Sequence, residues 1–287
     1  MAKAKAGSWT PLELIRVSAE YLADQGVPSP RLDAELLLAH VLQLDRLQLY
    51  LQHERPLIRE ELDRYRELIR RRARREPLQL LTGSARILDL DFMVAPGVFI
   101  PRPETETLIE VVKTLPEPST MVEVGLGSGA VGISLLVYWP KARLVGFELS
   151  ETAARVSRSN AEKHGVAERM EIVEGDAYAE SLRSRWGGCE LVVSNPPYIA
   201  EGEELEPEVI DHDPKEALFA GPDGLEEIRK LCAAAAVALT PGGWLAFEHG
   251  WDQESQVALI LAQGPFEGVV CHRDLAGRPR VSCARRT

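Results

Sequence analysis

The sequence predicts an α/β protein: a seven-stranded, mostly parallel sheet behind a small N-terminal helical bundle. Three observations point there. From about residue 103 onward, strand-like and helix-like patterns alternate, which builds a parallel sheet covered by helices on both faces. Charge divides unevenly along the chain. Residues 1–90 hold 15 Lys+Arg and 13 Asp+Glu, whereas the rest holds 18 and 31, as two units with different surfaces would. A glycine-rich turn at residues 122–129 joins an apolar strand to a helix, the place where open α/β sheets take ligands.

The helical part comes first. Thr10-Pro11-Leu12-Glu13 has the order of a capping box with Pro at the first helical position. Leu12, Ile15, Ala19 and Leu22 follow at helical spacing. Ser29-Pro30 repeats the start signal before Leu32, Leu36, Leu37 and Val41. A third helix is predicted over 46–52 and a longer one over 58–75, with the bundle ending near Pro77. Residues 59–75 carry eight arginines among four acids. They are read first as a solvated face with local ion pairs and second as a contact for a polyanion such as RNA.

Domain limits follow: a helical domain over 1–78, a linker with a β-hairpin over 79–102, and the sheet domain over 103–287. The hairpin is drawn from Ile87, Leu88, Leu90, Phe92 and Val94 beside Pro96-Gly97. The seven strands are expected at 121–124, 143–147, 170–173, 191–194, 243–248, 268–272 and 280–284, the last two as an antiparallel edge. Helices fill 128–138, 152–164, 225–239 and 253–261.

Composition removes several classes. With 287 residues, 45% hydrophobic and 27% charged, the chain is neither disordered nor fibrous. No run approaches the ~20 apolar residues of a membrane span, and the start at residues 1–7 lacks the apolar core of a secretion signal. Cys189, Cys232, Cys271 and Cys283 form no C-x-x-C, which argues for a reducing, cytoplasmic setting and against a zinc site. No metal is expected. A net charge of -11 disfavours duplex DNA as a partner, since phosphate neutralisation drives that binding.

Two motifs carry chemistry. Gly125-Leu126-Gly127-Ser128-Gly129 has glycines that allow positive φ and a close ligand approach, with free N–H groups at a helix start. Glu148 ends the next strand, where a carboxylate can accept from two ribose hydroxyls. Asp176-Ala177 follows the third strand. The glycine spacing resembles the S-adenosylmethionine loop of class I methyltransferases, which implies their Rossmann-like sheet and, at Asp176, an acid that meets the adenine amino group.

At the fourth strand end stands Asn195-Pro196-Pro197-Tyr198. The Asn195 side-chain carbonyl and the Pro196 backbone carbonyl can together hold both hydrogens of an –NH2 group, and Tyr198 can cover a planar substrate. An amide nitrogen is a poor nucleophile because its lone pair is delocalised. Two acceptors pull it toward a tetrahedral shape and aim the lone pair, so catalysis is mainly positioning and electrostatics.

Asn195–Tyr198 resembles the signature of amino-methyltransferases acting on glutamine side chains and on adenine or cytosine. Phe99-Ile100-Pro101-Arg102-Pro103-Glu104-Thr105-Glu106, Asp213 to Leu218, Gly221 to Leu225 and Asp274 to Arg280 narrow this to the release-factor glutamine methyltransferases (the PrmC/HemK family). The resemblance implies methyl transfer from S-adenosylmethionine, leaving S-adenosylhomocysteine, to the side-chain N5 of the glutamine in the Gly-Gly-Gln motif of peptide chain release factors. The alternative is amino-methylation of nucleic acid.

By position, the resemblance assigns Gly125, Leu126, Gly127, Ser128, Gly129, Glu148, Asp176, Ala177 and Asn195 to the cofactor. Asn195, Pro196, Pro197 and Tyr198 become catalytic and substrate-binding residues, joined by Phe99 and the segment from Arg102 to Thr105, for which loop anchoring by Arg102 and helix capping near Glu104 are the alternative. The helical bundle becomes the recognition domain and the protein a monomer. Leu126, Glu123 and Glu148 stand where the family often has Thr, Asp and Asp.

The six histidines lack ligand spacing, although His249 follows a strand end. The acidic stretch 201–208 reads as a solvated loop or as a dock for a basic protein loop.

Overall fold

A computed structural model describes residues 9–287; the chain start at residues 1–7 lies outside them. Two units emerge. One runs to Gly83 and takes in Pro207–His212; the other comprises Ser84–Glu206 and Asp213–Thr287.

In the first unit, helices Pro11–Asp24, Pro30–Leu42, Arg46–Leu51, Arg59–Ala73 and Leu78–Thr82 enclose a core of Leu14, Ile15, Leu22, Leu37, Leu38, Leu49, Tyr65 and Ile69. Start signals act as their chemistry requires. Glu13 Oε2 accepts from the Thr10 backbone N–H at 3.2 Å. Asp45 and Gln48 cap reciprocally, at 2.7 and 2.9 Å. Of the expected inward face of the first helix, Ile15 and Leu22 are buried and Ala19 is half-buried. Leu14, Ser18 and Leu22 are buried at four-residue spacing, while Leu12 is exposed; Leu32 is likewise exposed on the second helix. Both leucines sit in a first helical turn, where the chain is still entering the bundle.

The arginine run lies mostly in ion pairs: Arg59 and Arg66 with Asp63, Arg70 with Glu67, and Arg71 with Glu76. Arg72 goes further. Its guanidinium is buried and reaches Asp33 at 2.6 Å and Glu208 at 3.0 Å, and Arg75 meets the same Glu208 oxygen at 2.7 Å. Burial raises the Asp33 pKa while Arg72 opposes it. Removing one partner of a buried pair strands the other charge. Arg72→Ala is therefore expected to lower stability by about 3–5 kcal/mol in urea unfolding, whereas Arg59→Ala, at an exposed pair, should change it little. Glu208 of the 201–208 stretch is thus engaged in ion pairs with Arg72 and Arg75.

The second unit opens with a hairpin, β1 (Ser84–Ile87) and β2 (Leu90–Met93), that turns at Leu88-Asp89 and not at Pro96-Gly97. Leu88 takes a left-handed φ of 52°, and its N–H donates to Glu106 at 2.8 Å. Seven strands form the sheet: β3 (Thr120–Val124), β4 (Arg143–Glu148), β5 (Met170–Glu174), β6 (Cys189–Ser194), β7 (Leu239–Glu248), β8 (Phe266–Arg273) and β9 (Pro279–Arg286). Their order is β5-β4-β3-β6-β7-β9-β8. The first five strands pair in parallel; β9 is antiparallel to both β7 and β8. The expected mostly parallel sheet with an antiparallel edge is thus present.

Alternation along the strands feeds two cores. Leu191 and Val193 face a layer with Leu108, Ile133 and Leu136, and Val192 faces one with Ile228, Leu231 and Phe247. Helix Thr105–Lys113, for which no element was expected, covers the first layer together with Ala130–Tyr138; Glu226–Ala238 and Glu254–Ala262 cover the second. β7 begins at Leu239, ahead of the expected 243, because it resumes across a bulge: Leu239 pairs with Cys189 and Trp244 with Leu191, and Gly242 between them takes a left-handed φ of 85°.

No helix among the described residues is long and apolar enough to cross a membrane. All four cysteines are free; burial pushes the thiols of Cys189, Cys232 and Cys283 up to about 12.

Candidate active site

Parallel register collects the two motifs on one edge. Val124 lies level with Phe147 on β4 and with Ser194 on β6, and Ser194 with Phe247 on β7. The next residues along, Glu148, Gly125, Asn195 and Glu248, therefore leave neighbouring carboxyl ends of the sheet. Adjacent strands stand about 4.8 Å apart, so the four span the width of a small ligand site.

The glycine turn is held from below. Gly125 and Leu126 donate to Phe147 O at 3.0 and 3.2 Å. Gly127 N–H donates to Glu148 Oε2 at 2.8 Å, and Ser150 N–H to Glu148 Oε1 at 2.8 Å. A carboxylate has about four lone-pair sites, so two remain for hydroxyl donors. Asn160 locks the turn sideways: its amide donates to Ser128 O at 2.8 Å and to Met93 O at 3.0 Å.

Two glycines of the turn answer different needs. Gly127 has φ 55°, and a Cβ there would meet nothing within 4 Å. Packing does not demand glycine at that point; the open space above the backbone is the cradle a cofactor would fill. Gly129 has φ 82°, and its Cβ would come 2.6 Å from Ser157 Oγ and 2.7 Å from Ile133 Cδ1. Gly129→Ala is therefore expected to lower the melting temperature even without cofactor. Gly127→Ala should mainly weaken cofactor binding, with a stability cost of about 1–2 kcal/mol from its φ. Paired thermal melts and titrations with S-adenosylmethionine check the contrast.

Gly132 belongs to neither motif. A Cβ there would lie 2.2 Å from Glu123 Oε2, so it is glycine to admit that buried side chain. Burial raises the Glu123 carboxyl well above its usual range, against a hydrogen bond from the Gly132 backbone.

At the end of β6 the Ser194 hydroxyl donates to Val124 O at 2.8 Å, tying the two motif-bearing strands together. Asn195 Nδ2 donates to Thr105 Oγ1 at 3.2 Å. That bond orients the amide and leaves the Asn195 carbonyl as the open acceptor. Pro196 is buried, and Tyr198 is pinned at both ends. Its hydroxyl donates to Glu248 Oε1 at 2.9 Å, and its backbone carbonyl accepts from Gln253 at 2.9 Å.

The remaining expected site residues fall as follows. Asp176 is exposed, and its Oδ1 accepts from Tyr178 N–H at 2.9 Å; Ala177 is buried, its carbonyl accepting from Trp186. Arg102 pairs with the buried Asp213 and lies 5.6 Å from the Phe99 ring centre. Asp213 also accepts from Ile100 N–H at 3.2 Å. This supports the anchoring role for Arg102. His249 is a buried residue whose ring nitrogens meet Gly250 O and Ser282 Oγ at 2.8 and 2.9 Å. Among the described residues no His/Cys/Asp/Glu group could hold a metal ion.

Thr105 lies in the 102–105 segment expected along the site and meets Asn195 there, whereas Asn160 and Glu248 are not singled out by the sequence. Neither of these two stands in a glycine or proline turn, and each reaches the site only through tertiary packing.

A glycine turn, an acidic strand end and an Asn-Pro-Pro-Tyr turn, side by side on this sheet, define an S-adenosylmethionine-dependent methyltransferase. Known proteins place it further. Residues 13–83 match the family described as PrmC N-terminal domain, and residues 89–217 the methyltransferase small domain. The chain is 43% identical to the release factor glutamine methyltransferase of Mycolicibacterium smegmatis, over 95% of this chain and 96% of that one. It is 39% identical to that of Geobacter sulfurreducens, over 95% of each. A methyltransferase from Pyrococcus furiosus shares the fold at 18% identity, with TM-score 0.51 over 69% of this chain and 89% of that one. The chain belongs to the family of release factor glutamine methyltransferases.

Proposed function

We propose that this enzyme methylates the side-chain N5 of the glutamine in the Gly-Gly-Gln motif of peptide chain release factors. The observation that carries the reading is the Asn195 amide: Thr105 fixes its Nδ2 as a donor, so its carbonyl is the acceptor left for a substrate –NH2. Relatives of near-equal length that are named for release factor glutamine methylation support the same substrate.

Gly125, Leu126, Gly127, Ser128, Gly129 and Glu148 would hold S-adenosylmethionine, with Asp176 and Ala177 beside its adenine. When bound, the cofactor supplies the methyl group on an electrophilic sulfonium. The chain itself positions the acceptor. Asn195 and the Pro196 carbonyl take the two amide hydrogens, and Tyr198 limits the approach of the amide plane. The helical domain, 1–78, serves recognition of the release factor; 103–287 forms the catalytic domain, with 79–102 between them.

Transfer of labelled methyl to purified release factor tests the reading. Label is expected on the native factor and absent when the Gly-Gly-Gln glutamine is replaced by alanine. Label confined to DNA or RNA would favour nucleic-acid amino-methylation instead.

A further inference from the structure

Glu248 is the last residue of β7, on the strand beside Asn195, and 2% exposed. Its Oε1 accepts from the Tyr198 hydroxyl at 2.9 Å. Its Oε2 is buried and makes no hydrogen bond among the described residues. A carboxyl in such a place costs several kcal/mol in folding, and an apolar residue would fill it at less cost, which asks for a functional reason. Thr105 supplies the link. Its hydroxyl accepts from Asn195 Nδ2 at 3.2 Å and is itself buried, and its proximity lowers the Glu248 pKa, so its hydrogen can turn to that carboxyl. One carboxyl thus stands behind both ends of the Asn195–Tyr198 turn.

We propose that Glu248 is a positioning residue: its buried carboxyl fixes Tyr198 directly and, through Thr105, sets the Asn195 amide with its carbonyl toward the substrate. The direction of the chain of donors follows from the groups themselves. An ionised carboxyl can only accept, so the Thr105 hydrogen points to Glu248, the Thr105 lone pair faces Asn195 Nδ2, and Asn195 Oδ1 is left for the acceptor. A neutral carboxyl can donate to Thr105, which weakens that order.

The charged groups around it bear on when the carboxyl is ionised. Burial pushes its pKa up to about 7, Tyr198, Arg280 and Thr105 oppose that, and Glu104 adds to it. Arg280 comes from β9, 3.5 Å from the Tyr198 hydroxyl, and is paired with Asp274. His249, next on the chain, is turned to Ser282. As pH falls through about 7 the carboxyl gains a proton, so turnover should decline on that limb.

The inference rests on the amide-positioning role given to Asn195 above, and turnover is measured on whichever acceptor the wild type labels. Glu248→Gln is expected to lower kcat about tenfold or more, leave cofactor binding unchanged, and remove the acid limb near pH 7. Thr105→Val, equal in size, should lower kcat similarly, and Thr105→Ser, which keeps the hydroxyl, should restore it. The Thr105 pair decides alone if Glu248→Gln does not fold. Wild-type kcat in Thr105→Val, or an unchanged acid limb in Glu248→Gln, would overturn the assignment. Wild-type enzyme that labels only nucleic acid would instead contradict the proposed substrate, leaving these comparisons to be made on that acceptor.

Discussion

Asn195→Ala is expected to lower kcat for methyl transfer by about 10²–10³-fold, the usual cost of one well-placed polar group at a reacting centre. S-adenosylmethionine affinity should stay near wild type, because the cradle proposed for the cofactor is built on β3 and β4, anchored to Phe147 and Glu148. The fold should also survive. Asn195 is half-buried and its amide bonds to one side chain, Thr105, which can still turn to Glu248. Single-turnover kinetics with a cofactor titration separates the two effects. Wild-type turnover in this variant would remove the proposed mechanism.

Glu148→Ala should have the opposite signature. The carboxylate organises Gly127 and Ser150 through their N–H groups, and in the proposed site its remaining lone pairs would accept from the cofactor. Charge-assisted hydrogen bonds contribute about 1.5–3 kcal/mol each, so losing two raises the cofactor Kd by about 10²-fold or more. With saturating cofactor, kcat should recover most of its value. Calorimetric titration checks the first statement and turnover at high cofactor the second. Glu148→Asp, the residue frequent in the family, should bind within a few-fold of wild type only if Gly127 can follow the shorter side chain.

The parts of the site that were legible in the sequence are those whose chemistry is local. Glycines at φ 55° and 82° after an apolar strand, and two prolines that stop the next one, announce themselves by residue type. What stayed hidden depends on packing. Glu248 reads as the polar end of an alternating strand, and only the level of Ser194 with Phe247 sets it beside Asn195. Asn160 reads as one polar residue of an amphipathic helix, yet it bonds to Ser128 and Met93. Asp213 sits far along the chain from Arg102, its partner.

The fold shows the same division. Strand–helix alternation located the sheet, while the start of β7 escaped because Pro241-Gly242 reads as a turn that ends a strand, whereas here it forms a bulge with Leu239 still paired to Cys189. Leu12 and Leu32 misled because helical spacing alone cannot say which side of a first turn faces the core.

The central claim is a position: one amide nitrogen, on one glutamine, of one protein substrate. Mass spectrometry of release factor after incubation with enzyme and S-adenosylmethionine tests it most directly. The expected result is a single methyl group on the side chain of the Gly-Gly-Gln glutamine, absent with Asn195→Ala enzyme. A methyl group on any other residue, or an unmodified release factor beside methylated nucleic acid, would contradict it.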